Sequence, residues 1–109
     1  MDKIQNMEEI KGIISNNQMS LLFIKTVQCG VCDAVLAQAE DVLERFPKIH
    51  SILVSLEETP QVSGEYLVFS APTIIMFLNG KEMFRESRFV VFSEFERKLQ
   101  QIYEVTEES

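Results

Sequence analysis

Two cysteines, Cys29 and Cys32, stand three apart in the stretch "FIKTVQCGVCDAVLAQAEDVLERF" (residues 23–46), separated by Gly30 and Val31, and the chain has no others. A pair so placed can bind a metal, close a small structural loop or carry electrons. A structural zinc site usually takes four ligands, and this chain offers one cysteine pair and one histidine, His50. It cannot complete that site alone, so no metal is expected except through an intermolecular site. A purely structural disulfide would close a loop of only four residues and remove little chain entropy. Redox chemistry suits the pair better, because the two intervening residues let the second sulfur reach back to the first. Two randomly placed cysteines would fall three apart in only roughly two chains in a hundred of this length.

Such a pair needs a frame to hold it. "SLLFIKT" is a continuous apolar run, the pattern of a strand buried on both faces. From Cys32 onward, Leu36, Ala39, Leu43 and Phe46 recur at steps of four, three, four and three, which predicts a helix with an apolar stripe, stopped by Pro47. The first cysteine therefore falls after a buried strand and at the beginning of a helix. Free N–H groups and the helix dipole there stabilise a thiolate, the attacking species.

The remaining elements follow from similar signals. "NMEEIKGIISNN" offers Asn6 as an N-cap, Glu9 three residues on, and Ile10, Ile13 and Ile14 on one face, a short first helix. The preceding "DKI" reads as a very short edge strand, and "HSILVSL" as a second buried strand. Thr59-Pro60 reads as an N-cap followed by proline at the first helical position of a short third helix. Asn79-Gly80 between two apolar-rich runs, in "TIIMFLNGKEMFRES", signals a hairpin. "SEFERKLQQIY" offers a capping box, Ser93 with Glu96, and a stripe of Phe95, Leu99, Ile102 and Tyr103. The order (β)αβαβαββα predicts an α/β architecture, a central mixed sheet flanked by helices on both faces.

Composition bounds the function. With 109 residues, 46% apolar and 25% charged, the chain is expected to form a single domain over 1–109, with "EVTEES" (104–109) as a frayed acidic tail. The net charge of −7 argues against nucleic acid as a partner, since phosphate contacts need clustered Lys and Arg. No apolar run is long enough to span a membrane, so no membrane partner is expected. "MDKIQNMEEIKG" lacks a basic region followed by an apolar one, so a cytoplasmic location is expected. In a reducing cytosol a cysteine pair is catalytic or metal-binding more often than a permanent staple. His50 reads as a strand-end or surface histidine, and Phe69, Phe77, Phe84, Phe89, Phe92 and Phe95 as core and hairpin packing. No glycine-rich phosphate loop is present.

The succession "LLFIKTVQCGVC", "SAPT" about forty residues later, and "IIMFLNGKEM" resembles thioredoxin and its relatives, from Ile4 to about Tyr103. The resemblance implies the thioredoxin fold and thiol–disulfide oxidoreductase activity. Cys29 would be the nucleophile and Cys32 the resolving thiol, within the motif completed by Gly30 and Val31. Gln28, Ala71, a cis Pro72 and Thr73 would flank the site and bind substrate, the backbone at Ala71 pairing with an extended segment by strand addition. Taken alone, "APT" is also an ordinary strand start. Implied partners are disulfide-bearing proteins or small molecules and an external reductant such as thioredoxin reductase. No bound organic cofactor is needed, and a monomer is expected.

Several positions depart from the family's usual pattern. Phe23 stands where a buried acid is common, Leu53 where a lysine is common, Gln28 where Trp often precedes the first cysteine, and Ala37 where the helix often has proline. The buried acid is thought to help take the proton of the resolving thiol. Without it, Cys32 must lose its proton to water, to the departing substrate thiolate or to another group. Asp33, one residue past Cys32, favours the helix but opposes a nearby thiolate, which Lys25 could offset if its side chain points that way. Two readings stand: a working dithiol of unusual rate or potential, or a binding, adaptor or redox-sensor module without turnover. The intact CGVC and APT favour the first, and the replaced acid, lysine and Trp favour the second.

Overall fold

A computed structural model describes residues 1–108; Ser109, the last residue of the acidic tail, lies outside the described residues. The elements run β1 (Asp2–Lys3), α1 (Met7–Asn16), β2 (Met19–Lys25), α2 (Cys32–Leu43), β3 (His50–Ser55), α3 (Gln61–Tyr66), β4 (Thr73–Leu78), β5 (Lys81–Ser87) and α4 (Phe92–Glu108). The strands form one sheet in the order β1-β3-β2-β4-β5, with β1, β3 and β2 parallel and β4 and β5 antiparallel to their neighbours. This is the mixed sheet with helices on both faces that the element order predicts.

The apolar run of β2 puts that strand at the centre. Side chains alternate across a strand, so Met19, Leu21 and Phe23 pack on one face with Ala39 and Val42 of α2 and Phe95, Leu99 and Tyr103 of α4. Leu22 and Ile24 pack on the other with Ile10 and Ile14 of α1 and Val62 of α3. A strand covered on both faces has no use for polar alternation. The hairpin between β4 and β5 turns through Asn79 and Gly80 at φ 52° and 81°. Both lie in the left-handed region that a two-residue turn of the favoured hand requires. The Asn79 N–H donates to the Gln18 carbonyl at 2.7 Å, which ties the turn to the start of β2.

Local starts and stops differ from the sequence signals in instructive ways. Asn6 caps α1 as expected, its side chain accepting the Glu9 N–H at 3.0 Å. Thr59 does not cap α3. Its hydroxyl donates to the Gln5 carbonyl at 2.7 Å, tying the third helix to the N-terminal segment, and the helix begins after Pro60. Helix α4 starts at Phe92, so Ser93 lies inside its first turn, and Glu96 is drawn instead to Arg45 beyond the end of α2, with Nε to Oε1 at 2.8 Å. The residues expected to fray continue α4 through Glu108, and the Thr106 hydroxyl donates to the Tyr103 carbonyl at 2.8 Å. Helix α2 ends at Leu43, and tighter bonds, Arg45 N–H to Val42 O and Phe46 N–H to Leu43 O, carry the chain to Pro47.

Candidate active site

Three segments meet at one end of the sheet. Lys25 closes β2 beside Ser55, the last residue of parallel β3, while Thr73 opens antiparallel β4 beside Ile24. The loop to the cysteines, the turn after β3 and the "SAPT" segment therefore leave or enter the sheet together. Loops at the carboxyl ends of parallel strands are where open α/β sheets place their binding crevices.

Cys29 and Cys32 are joined as a disulfide, with Cα atoms 5.3 Å apart. Cys29 sits in the loop, three residues ahead of α2, rather than in its first turn. The Cys32 N–H donates to the Cys29 carbonyl at 3.3 Å, and the turn so formed delivers Val31 as the N-cap. Val31 has no side-chain oxygen and makes no capping bond. The first-turn N–H groups thus lack an acceptor from the cap position, a setting that favours negative charge on sulfur. The two cysteines differ in burial. Cys32, on the buried side of α2, is 1% exposed, whereas Cys29 is half-buried and Gly30 and Val31 are open to solvent.

The Ala71–Pro72 peptide bond is cis. Pro72 is buried and its carbonyl accepts the Arg88 N–H at 2.8 Å, which pins the segment to the residue following β5. Thr73 is also buried, and its hydroxyl donates to the Ser70 carbonyl at 2.8 Å. Its side chain is already engaged, so of the expected flanking trio only the half-buried Ala71 is open from this side. Gln28 is exposed on the loop. A few residues before the "SAPT" segment the chain is held by Arg85 of β5. Its guanidinium donates to the Leu67 carbonyl at 3.0 Å and the Tyr66 carbonyl at 2.8 Å, satisfying the end of α3. Glu82 accepts from Arg85 at 2.8 and 2.7 Å, and this bond lowers the Glu82 pKa and raises that of Arg85.

Phe23 and Leu53 are register partners on β2 and β3. The positions where thioredoxins commonly carry an acid and a lysine are thus adjacent here and both apolar, and Phe23 is fully buried. Charge lies instead at the base of the loop. Lys25 Nζ is 3.7 Å from Asp33 Oδ1, so the lysine does point toward the start of α2. Glu57, in the turn after β3, accepts the Val27 N–H on both oxygens at 3.2 Å and the Ser55 hydroxyl at 3.0 Å. The Val27 N–H is the main reason the Glu57 pKa is lowered, and the charge of Lys25 adds to it. Glu57 carries no local sequence signal, because only the fold brings it against the loop.

Four of the six phenylalanines assigned to packing are buried or partly so, but Phe69 and Phe89 are not, at 82% and 87% exposed. Both flank the site, Phe69 just before "SAPT" and Phe89 just after Arg88, which has φ 64°. With Val27 and Val31 of the cysteine loop they make an exposed apolar rim on the segments that meet at this end of the sheet. Between Val31, Val35, Phe89, Val90 and Phe92 lies an open cleft of about 290 Å³. His50 lies elsewhere. It opens β3 beside Ser20, five residues from Ser55 and so roughly 16 Å along the strand, where it faces Asp2 at 3.3 Å.

Known proteins resemble this chain in sequence and fold. No family model matches the chain. The "Thioredoxin-like protein YdfQ" of Bacillus subtilis is 34% identical over 107 residues, covering 98% of this chain and 96% of that protein. The crystal structure of a thioredoxin-like protein from Bacillus cereus is 38% identical, covers 85% of this chain and 98% of that one, and superposes with a TM-score of 0.69. Thioredoxin from Trypanosoma brucei brucei, 20% identical, shares the fold at a TM-score of 0.84 over 94% of this chain and 89% of its own. With its cysteines paired at the end of the sheet, this chain belongs to the thioredoxin-like family of thiol–disulfide oxidoreductases.

Proposed function

We propose that the chain reduces disulfides in polypeptide substrates, with Cys29 as nucleophile and Cys32 as resolving thiol. The observation that carries this reading is the unequal burial of the two bonded cysteines, Cys29 half-buried at the surface and Cys32 1% exposed. An attacking thiol must reach its substrate, whereas a resolving thiol need only reach its neighbour.

In the reduced protein the Cys29 thiolate attacks one substrate sulfur. A Cys29–substrate disulfide forms, the substrate S–S bond breaks, and the first substrate sulfur departs as a thiolate. Cys32 then gives its proton to water or to that thiolate and attacks the Cys29 sulfur. The mixed disulfide breaks, the second substrate sulfur leaves as a thiol, and the Cys29–Cys32 bond remains. Two electrons have passed from the dithiol to the substrate, and an external reductant of the thioredoxin reductase kind returns them.

Gln28, Gly30 and Val31 on one side and Ala71, Pro72 and Thr73 on the other bound the place where substrate would lie, the last two through backbone since their side chains are buried. The rim of Val27, Val31, Phe69 and Phe89 supports a polypeptide over a small disulfide, because apolar surface of this kind suits a macromolecular partner. On this reading the chain works as a single domain and a monomer in a reducing compartment such as the cytoplasm, where the dithiol can be regenerated. Among the described residues no helix is long and apolar enough to cross a membrane.

The test is turnover of insulin disulfides in the presence of excess dithiothreitol by wild type, Cys29→Ser and Cys32→Ser. Wild-type activity lost in Cys29→Ser supports the proposal. A silent wild type whose reduced Cys29 is also unreactive toward alkylating agents supports the adaptor reading instead.

A further inference from the structure

The loop that carries the cysteines is tied across its base by charge. Lys25 is the last residue of β2 and Asp33 stands in the first turn of α2, so their contact at 3.7 Å joins the loop's two ends. Lys25 shares with Phe23 the sheet face turned to α2, and its side chain is 28% exposed. Glu57 grips the same loop from the turn after β3 through the Val27 N–H, two residues before Cys29. One ammonium thus lies in the field of two carboxylates at the base of the loop that carries the dithiol. Inside the sheet, the Phe23–Leu53 pair offers no charge at all.

We propose that Lys25, Asp33 and Glu57 act as a charge clasp that positions the dithiol loop and sets its balance between dithiol and disulfide. This positioning role rests on the redox reading above. Reduction by a small thiol such as glutathione breaks the Cys29–Cys32 bond. Two thiols supply two electrons and join as their own disulfide. Of their two protons, one ends on Cys32 and the other goes to solvent when Cys29 remains a thiolate. Groups that stabilise that thiolate draw the equilibrium toward the reduced form, and groups that oppose it favour the disulfide. Lys25 does the first, while Asp33 and Glu57 do the second. Removing the cation and removing an anion must therefore act in opposite directions.

The experiment measures two quantities on the full chain: the Cys29 pKa from the pH dependence of iodoacetamide alkylation, and the equilibrium constant with glutathione. Lys25→Met is expected to raise the Cys29 pKa by about half a unit and to shift the equilibrium about threefold toward disulfide. Asp33→Asn and Glu57→Gln are expected to shift both the other way by a similar factor. Lys25→Arg, which keeps the charge, should stay within twofold of wild type. Shifts of the same sign in Lys25→Met and Asp33→Asn, or none above twofold in either, overturn the clasp, as does a Lys25→Arg value matching Lys25→Met. Those outcomes leave a reactive wild type intact, whereas an unreactive wild-type Cys29 defeats the redox reading itself.

Discussion

Replacing Phe23 with aspartate would put back the acid that thioredoxins commonly carry there, and the structure shows what that change meets. Phe23 is fully buried on the central strand, between α2 and α4, with Leu53 as its register partner. Removing the ring costs about 3–5 kcal/mol in lost transfer energy and cavity. A carboxyl group in that surrounding, with no lysine opposite, has its pKa raised by roughly 3–5 units. The sign follows from proton counting. Above about pH 3.9 the unfolded acid loses its proton while the native one keeps it, so stability falls as pH rises, by about 1.4 kcal/mol per unit up to the native pKa. At pH 7 that adds about 4 kcal/mol, for a total of about 7–9 kcal/mol. A domain of this size is stable by roughly 5–15 kcal/mol, so Phe23→Asp should be largely unfolded at pH 7 and recover in part near pH 5. Phe23→Asn provides the control, since it makes a similar cavity without a titrating group. Urea unfolding of both variants at pH 5 and pH 7 is the assay. A loss below about 2 kcal/mol at pH 7, or a pH response of Phe23→Asp no larger than that of Phe23→Asn, would refute the reasoning.

Other consequences can be checked separately. Arg85→Leu removes the donors that hold the end of α3, so it should cost about 1–2 kcal/mol in thermal unfolding and speed hydrogen exchange over residues 67–72. Phe89→Ala removes a ring that is 87% exposed and shares a cleft with Val31, so stability should hardly change. Its KM for reduced-protein turnover on insulin should rise about tenfold with the rate on glutathione disulfide unaltered, and an equal loss on both substrates would count against a polypeptide contact. The pKa values of Glu57, Glu82 and Glu94 are lowered, by the Val27 N–H, Arg85 and Arg97 respectively. Their contribution is present above the ordinary carboxylate range and lost as pH falls through the native values. The urea midpoint should thus drop on acidification, and Glu82→Gln should make that drop shallower.

Long-range order was legible in the chain because burial imposes period. The apolar run Leu21–Ile24 of β2, the α2 stripe from Cys32 and the Asn79-Gly80 turn each have one physical solution, and the structure adopts them. What failed to show was competition between local and distant partners. Thr59 reads as a cap until the Gln5 carbonyl, fifty-four residues away in sequence, takes its hydroxyl, and Glu96 reads as half of a capping box until Arg45 reaches it. The cysteine pair and its junction were visible as spacing and context. Lys25 was visible as a question of direction that only the packing of β2 against α2 answers. Glu57 was invisible, since nothing local links it to Val27. Phe69 and Phe89 escape the sequence because apolar type predicts burial on average, whereas both rings stand exposed.

The most direct test of the central claim is mixed-disulfide trapping. Reduced Cys32→Ser and Cys29→Ser proteins are incubated with a peptide containing one disulfide, and the adducts are read by mass spectrometry. A stable adduct is expected on Cys29 in Cys32→Ser and none within the same time in Cys29→Ser, because the half-buried cysteine attacks and the buried one only resolves. An adduct on Cys32 in Cys29→Ser that forms as fast, or no adduct in either protein, would contradict it.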